Sequence, residues 1–324
     1  MCSTIPKPAL PESTPAKWAA VLSLTLGVFG LLTAEYLPAT LLTPMAADTG
    51  VSEAVVGQAV AVTAVAAMLS GLLTASLTRA VDRRFVLLGF TVLMIISNLM
   101  VATTSNIVGL LAMRLLLGVA LGGFWSMAAA IAMRLVPAAL VPRAVSIIFS
   151  GIAVATIVAV PVGSYLGEVA GWRVTFLTTA AVGVVTLVFQ WFAIPSMAPL
   201  SPAGLGALWS VLRHPGFAIG IVGMLLVHVG HYALFTYIRP ALETFAKVDV
   251  HMLAVLLFSF GVANFAGTLL AGRLLERSMR LTLALMPALL GIAALGLALL
   301  PAVRGTRLVV QSLCGLGVVG RGPL

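Results

Sequence analysis

Charged residues are scarce in this chain. Asp, Glu, Lys and Arg make up 8% of its 324 residues, whereas soluble domains carry roughly 25%. This shortage, together with a mean hydropathy of +1.17, excludes an ordinary soluble protein. Apolar runs of about 20 residues recur along the chain, which predicts an all-α polytopic membrane protein, because backbone groups facing lipid must hydrogen-bond within their own segment.

Cysteine and catalytic motifs are also lacking. The two cysteines, Cys2 and Cys314, lie at opposite ends of the chain and show no metal-ligand spacing. The sequence contains no HExxH, no phosphate-binding glycine loop and no Ser, His and Asp grouping. We therefore expect no metal, no cofactor and no enzymatic activity, and any pumping would draw on an ion gradient.

The positive charge is spread between the apolar runs. Net charge is +9, but the 18 Lys and Arg residues stand mostly singly or in threes, which indicates membrane anchors and not a nucleic-acid surface. If the N-terminus is cytoplasmic, 11 of them fall in cytoplasmic segments and 5 on the opposite side. This bias predicts a cytoplasmic N-terminus.

The apolar runs divide the chain into four regions. These are a tail (1–17), a six-helix half (18–195), a linker rich in Pro, Gly and Ser (196–215) and an incomplete second half (216–324). Nine spans are predicted, at about 18–42, 54–77, 85–104, 107–133, 144–167, 174–195, 216–238, 252–272 and 281–301. After Pro301 the apolar run is too short and too interrupted to span, so we expect the chain to stop inside a tenth helix, with a tail that resembles a shifted reading frame.

One carboxylate stands inside the first apolar run. Glu35 and, in the fourth span, Arg114 each lie about 10 Å from the same membrane face, at 1.5 Å per residue. Opposite charges at one depth can meet. Intramembrane charges are costly and usually functional, so we interpret the pair as a proton-exchanging site, with a static ion pair as the structural alternative.

Other residues are candidates for a polar cavity or for close helix packing. Each cavity candidate has an alternative role in the core or in an interhelical hydrogen bond; the candidates are Trp125, His231, Tyr232, Asn264 and Gln58. Small residues and a proline at helical spacing indicate packing or a hinge, at Gly118, Gly122, Pro161, Gly163 and Gly167.

Several strings resemble the major facilitator superfamily, in particular its drug:H+ antiporters. LLAMRLLLGVALGG carries the family's Arg and Gly at Arg114 and Gly118, and VPVGSYLGEVAGWRVTF carries its proline and glycine motif. TRAVDRRFVLL matches the family's cytoplasmic signature in part: Arg83 and Arg84 match, whereas Asp82 takes a glycine position.

This resemblance implies two six-helix halves around a central cavity, of which this chain holds one complete half and part of the second. The combined strings EYLPATLLTPMA, VDRRFV, GVALGGFW, MRLVP and FTYIRP are similar to a bacterial inner-membrane branch. We expect a monomer with no nucleic-acid partner. That branch implies export of purine ribonucleosides such as inosine and guanosine in exchange for protons. It would assign proton coupling to Glu35 and Arg114, and cytoplasmic gating to the loop Asp82, Arg83 and Arg84.

Three alternatives stay open. The chain could be a sugar or multidrug exporter of the same superfamily, an inactive truncated transporter, or a membrane scaffold that transports nothing.

Overall fold

The computed structural model describes residues 16–199 and parts of the chain between 220 and 292. The second set comprises 220–223, 225–233, 235–236, 252–253, 255–263, 266–267, 278, 281, 284–285, 287–289 and 291–292. Six helical segments of this part are long and apolar enough to cross a membrane. The all-helical membrane architecture predicted from the sequence is therefore confirmed.

Eight α-helices make up the first half. They are α1 (Trp18–Thr40), α2 (Leu42–Thr49), α3 (Glu53–Leu77), α4 (Arg83–Thr103), α5 (Ile107–Leu135), α6 (Val141–Val154), α7 (Val160–Val169) and α8 (Trp172–Ala193). A 3₁₀ turn (Ala138–Leu140) precedes α6, and a π-helical turn (Ala155–Ala159) joins α6 to α7. The first six predicted spans each coincide with one membrane segment, the fifth being the composite Ala138–Val169.

The first span ends close to residue 42, as predicted. Helix α1 ends at Thr40, Leu41 lies in a turn, and the chain then continues as the short helix α2. Pro38 lies inside α1 and has no backbone N–H, so the carbonyl of Ala34 lacks its usual helical donor. The missing hydrogen bond weakens the last turn of α1. It also leaves the Ala34 carbonyl able to accept a hydrogen bond from Arg114.

Helix α1 is the centre of the first half. It contacts every other helix from α2 to α8, and most of its residues are buried. Helix α3, by contrast, exposes a row of large apolar side chains, at Met68, Leu69, Leu72 and Leu73. Such an outward apolar face is what lipid contact requires of a helix at the edge of a bundle.

The tightest helix contact joins α3 to α5. A Cβ on Gly122 would lie 2.6 Å from the carbonyl carbon of Ala67, and one on Gly118 would lie 2.5 Å from Cβ of Ala66. Only glycine lets the two backbones approach this closely.

The remaining predicted regions are described only in part. Helical residues occur within each of the predicted spans 216–238, 252–272 and 281–301. Residues 1–15, 200–219 and 293–324 lie outside the described residues, so the tail, most of the linker and the predicted C-terminal end stay predictions.

Candidate functional site

The carboxylate of Glu35 joins the two halves of the chain. Glu35 is 6% exposed, and its Oε1 accepts a hydrogen bond of 2.9 Å from the hydroxyl of Tyr232. Glu35 belongs to α1, whereas Tyr232 belongs to the second half. A hydrogen bond to an ionised carboxylate contributes roughly 1.5–3 kcal/mol and one to a neutral group about 1 kcal/mol, so this contact links the halves across their seam most strongly when Glu35 is charged.

Arg114 lies at the depth of Glu35 but does not pair with its carboxylate. The only ion pair between described residues joins Asp48 and Arg173. Instead, the fully buried guanidinium of Arg114 donates from Nη2 to the carbonyl of Ala34 at 2.9 Å, with a longer contact of 3.5 Å to the carbonyl of Glu35. The expected side-chain ion pair is therefore replaced by a bond to the backbone.

Pro38 explains this choice of acceptor. The Ala34 carbonyl, four residues earlier, has lost its helical N–H donor, and a buried carbonyl without a donor is costly. Arg114 supplies the missing bond. Its other two nitrogens, Nε and Nη1, have no hydrogen-bond partner among the described residues. The guanidinium therefore binds α1 through one nitrogen, at the residue that precedes Glu35.

The proline and glycine motif lies behind the same part of α1. A Cβ on Gly163 would lie 3.0 Å from the side chain of Leu37, and Gly167 is covered by Leu41. Pro161 follows the π-helical turn; it cannot donate to the carbonyl of residue 157, and the helix adopts wider turns there.

This π-helical turn is also a contact between the halves. A Cβ on Gly261 would lie 2.7 Å from both Cα of Ile157 and the carbonyl oxygen of Thr156. Helix backbones from the two halves therefore touch where the first half departs from regular α-helix.

The loop between α3 and α4 binds the start of the predicted linker. Asp82 caps α4 by accepting from the backbone N–H of Arg84 at 2.8 Å, and it also accepts from the Met197 N–H at 3.0 Å and from the Ser196 hydroxyl. Burial raises the pKa of Asp82, but these hydrogen bonds outweigh burial and leave it below its ordinary value.

The two arginines that follow Asp82 begin α4 and contact other residues of the first half. Arg83 is buried and donates to the Thr78 hydroxyl at 2.7 Å. Arg84 lies over the ring of Trp191, with its guanidinium carbon 5.1 Å from the ring centre. Their gating role stays a prediction.

The remaining cavity candidates do not all converge on Glu35. His231 is buried beside Tyr232. Trp125 packs on Phe149 at 5.2 Å between ring centres, and it lies 11 residues beyond Arg114, roughly 16 Å along the helix. Gln58 is exposed on α3, and Asn264 lies outside the described residues.

Sequence reasoning missed a cluster at the opposite end of α8 from the linker. The carboxylate of Asp48 accepts from Arg173 and, at 3.1 Å, from the indole N–H of Trp172; Arg173 also donates to the Thr104 carbonyl. The hydrogen bond from Arg173 is the main reason why the pKa of Asp48 lies below its ordinary value. No periodic pattern connects positions so far apart in the chain.

No metal site is evident in the described part of the chain. It contains no group of three or more His, Cys, Asp and Glu side chains that could hold a metal ion.

Six helices long and apolar enough to cross a membrane and a buried acid where the halves meet are features of a multi-pass membrane protein. Residues 24–324 match the sequence model of the Major Facilitator Superfamily, and the chain belongs to that family. Membership makes it a transporter and not an enzyme.

Two named efflux pumps and two solved transporter structures are similar to this chain. Purine ribonucleoside efflux pumps NepI of Salmonella paratyphi B (strain ATCC BAA-1250 / SPB7) and Salmonella typhimurium (strain LT2) are each 42% identical over 280 residues, which is 86% of this chain and 70% of theirs. Among solved structures, a D-xylose–proton symporter superposes with a TM-score of 0.67 at 16% identity, covering 93% of this chain and 79% of its own. An inward-facing bacterial homologue of the human lysosomal transporter Spinster gives 0.69 at 18% identity, covering 95% and 74%. At these identities the two structures show the fold alone.

Proposed function

We propose that this chain exports purine ribonucleosides across the bacterial inner membrane in exchange for protons, by alternating access, with its N-terminus in the cytoplasm. The 42% identity to the NepI efflux pumps over 86% of the chain supports the substrate class. Inosine and guanosine are the representative substrates.

The observation that carries proton coupling is the buried bond between Glu35 and Tyr232. A charged carboxylate accepts a hydrogen bond roughly twice as strongly as a neutral group does. Protonation of Glu35 therefore weakens the link between the halves, and loss of the proton strengthens it. One proton thus shifts the balance between a closed and an open seam, which is what alternating access requires.

Arg114 is proposed to hold this part of α1 in place. Its bond to the Ala34 carbonyl compensates for Pro38 and keeps the Glu35 turn ordered, while its positive charge lies close to the acid. Substrate contacts are proposed for His231 and Tyr232, which share the seam with the carboxylate, and Trp125 is proposed to contact substrate at a deeper level of the cavity.

The test is transport by purified protein in liposomes. Vesicles are loaded with radiolabelled inosine, and release is measured with the outside at lower pH and with no gradient. Glu35→Gln keeps a hydrogen-bond acceptor but cannot exchange a proton, so we expect it to lose the acceleration by the gradient. The matched control is Glu168→Gln, since Glu168 is an exposed carboxylate on α7.

Each outcome decides a separate part of the proposal. Full gradient dependence in Glu35→Gln would remove Glu35 from coupling. Release of sugars or drugs, but not nucleosides, in a competition panel would replace the substrate class. Absence of all transport by the wild-type chain would favour an inactive protein.

A further inference from the structure

The side chain of Phe235 lies within a set of three aromatic rings, which we call the ring box: Tyr36, His231 and Phe260. The Phe235 ring centre is 5.2 Å from that of Tyr36, 6.0 Å from that of His231 and 5.7 Å from that of Phe260. Phe235, Phe260 and His231 are 4%, 3% and 8% exposed. Tyr36 belongs to α1 and the other three to the second half, so the ring box closes across the seam.

The angles in the ring box are those of aromatic stacking. His231 and Phe260 lie at 29° and 32° to the plane of Phe235, and Tyr36 meets it edge-on at 62°. Centroid separations of 4.5–7 Å with offset-stacked or edge-to-face geometry are the favourable arrangements for ring pairs. The ring box therefore already holds one flat six-membered ring.

Polar groups border the ring box. Glu35 precedes Tyr36, Tyr232 follows His231, and these two neighbours are joined by the 2.9 Å hydrogen bond across the seam. A ring that only fills space in an apolar core needs no polar neighbours. A nucleobase needs them, because it has aromatic faces that stack on rings and a polar edge that requires hydrogen-bonding partners.

We propose that the ring box is the subsite for the base of a nucleoside, and that the Phe235 ring competes with the base for this place. The inference rests on the proposed function and adds the residues that recognise the substrate. A base that displaces Phe235 would contact both halves, next to the Glu35 carboxylate. Substrate and proton would then act on the same seam.

Because Phe235 competes with the base, removal of Phe235 and removal of a ring-box member should change the affinity for inosine in opposite directions. Removal of Phe235 eliminates the competitor, so Phe235→Ala should bind inosine several-fold more tightly, because the base no longer has to displace a ring. Removal of a ring-box member removes a stacking partner, so Tyr36→Leu and Phe260→Leu should bind about tenfold or more weakly. Tyr36→Phe keeps the ring and should bind like the wild type.

The experiment is equilibrium binding of tritiated inosine to the purified full chain in detergent, with D-ribose as a probe that lacks the base. The control is Phe258→Ala, since Phe258 lies two residues before Phe260 on the same helix and is 50% exposed; its affinity should be unchanged. Phe235→Leu is the second variant if Phe235→Ala does not elute as a single species.

Three results would overturn the proposal. The first is weaker inosine binding after removal of Phe235, and the second is an unchanged affinity in Tyr36→Leu. The third is that Tyr36→Leu and Phe260→Leu weaken the binding of D-ribose as much as that of inosine, since D-ribose has no base to stack. If wild-type protein binds no inosine, the proposed function itself fails, whereas wild-type binding with unaltered variants refutes the ring box alone.

Discussion

Substitution of Gly122 by alanine tests whether the contact between α3 and α5 supports the site. The added Cβ would overlap the carbonyl oxygen of Ala67 and would lie 2.6 Å and 2.8 Å from its carbonyl and α carbons. Unstrained carbon contacts are about 3.5–4.0 Å long, so the helices would have to separate by about 1 Å. The obstacle is backbone, and no side-chain rotation can relieve it.

The expected cost follows from this overlap. Overpacking costs about 1–3 kcal/mol, with the upper part of the range expected where backbone must move. Alanine returns about 0.5–1 kcal/mol in helix propensity, which leaves a net loss of about 2 kcal/mol. Helix α5 also carries Arg114, so the same displacement should lengthen its 2.9 Å bond to the Ala34 carbonyl and slow transport.

The assay is thermal stability in detergent, measured as the fraction of protein that stays monodisperse after heating. Gly89→Ala is the matched control, because nothing lies within 4 Å of a Cβ at that position of α4. We expect Gly122→Ala to unfold at a lower temperature than wild type and Gly89→Ala at the same temperature or a slightly higher one. Equal midpoints for the two variants would refute the close-packing argument.

Two further predictions concern the carboxylates outside the membrane spans. The pKa of Asp48 is lowered in the folded chain by the bond from Arg173, so this stabilisation is present above the unfolded pKa and is lost as pH falls through the folded one. Wild type should therefore be more heat-stable than Asp48→Asn above about pH 5 and converge with it in stronger acid; a gap that does not change with pH would contradict this. Asp82→Ala should lose the helix cap, worth about 1 kcal/mol, and also the bond to Met197, so its melting temperature should fall further than that of Asn106→Ala, which removes only a cap; equal falls would show that the Met197 contact contributes nothing.

The helices of the first half could be predicted because their signal is local. Each span is an apolar run of membrane length, and no tertiary contact is needed to recognise it. The predicted end of the first span lies within two residues of the end of α1 at Thr40, but the consequence of Pro38 was not predicted. The proline was visible in the sequence, but its effect depends on whether another donor replaces the lost one.

The site was predicted less completely than the fold. Depth along a helix follows from counting residues, and this places Glu35 and Arg114 at the same level. The direction of each side chain depends on how the helices rotate against one another, and counting does not provide that rotation. The ring box and the cluster around Asp48 were missed for the same reason, because their members come from distant parts of the chain.

By itself, the sequence determined that the chain lies in a membrane, that six spans form its first half and that an acid stands within the first of them. These properties follow from the cost of exposing polar backbone and charge to lipid, which each segment meets alone. Only the tertiary structure decided the partners: Tyr232 for the acid and a proline-freed carbonyl for Arg114. Position along each helix sets the depth of a residue, but packing and unsatisfied hydrogen bonds select which atoms meet.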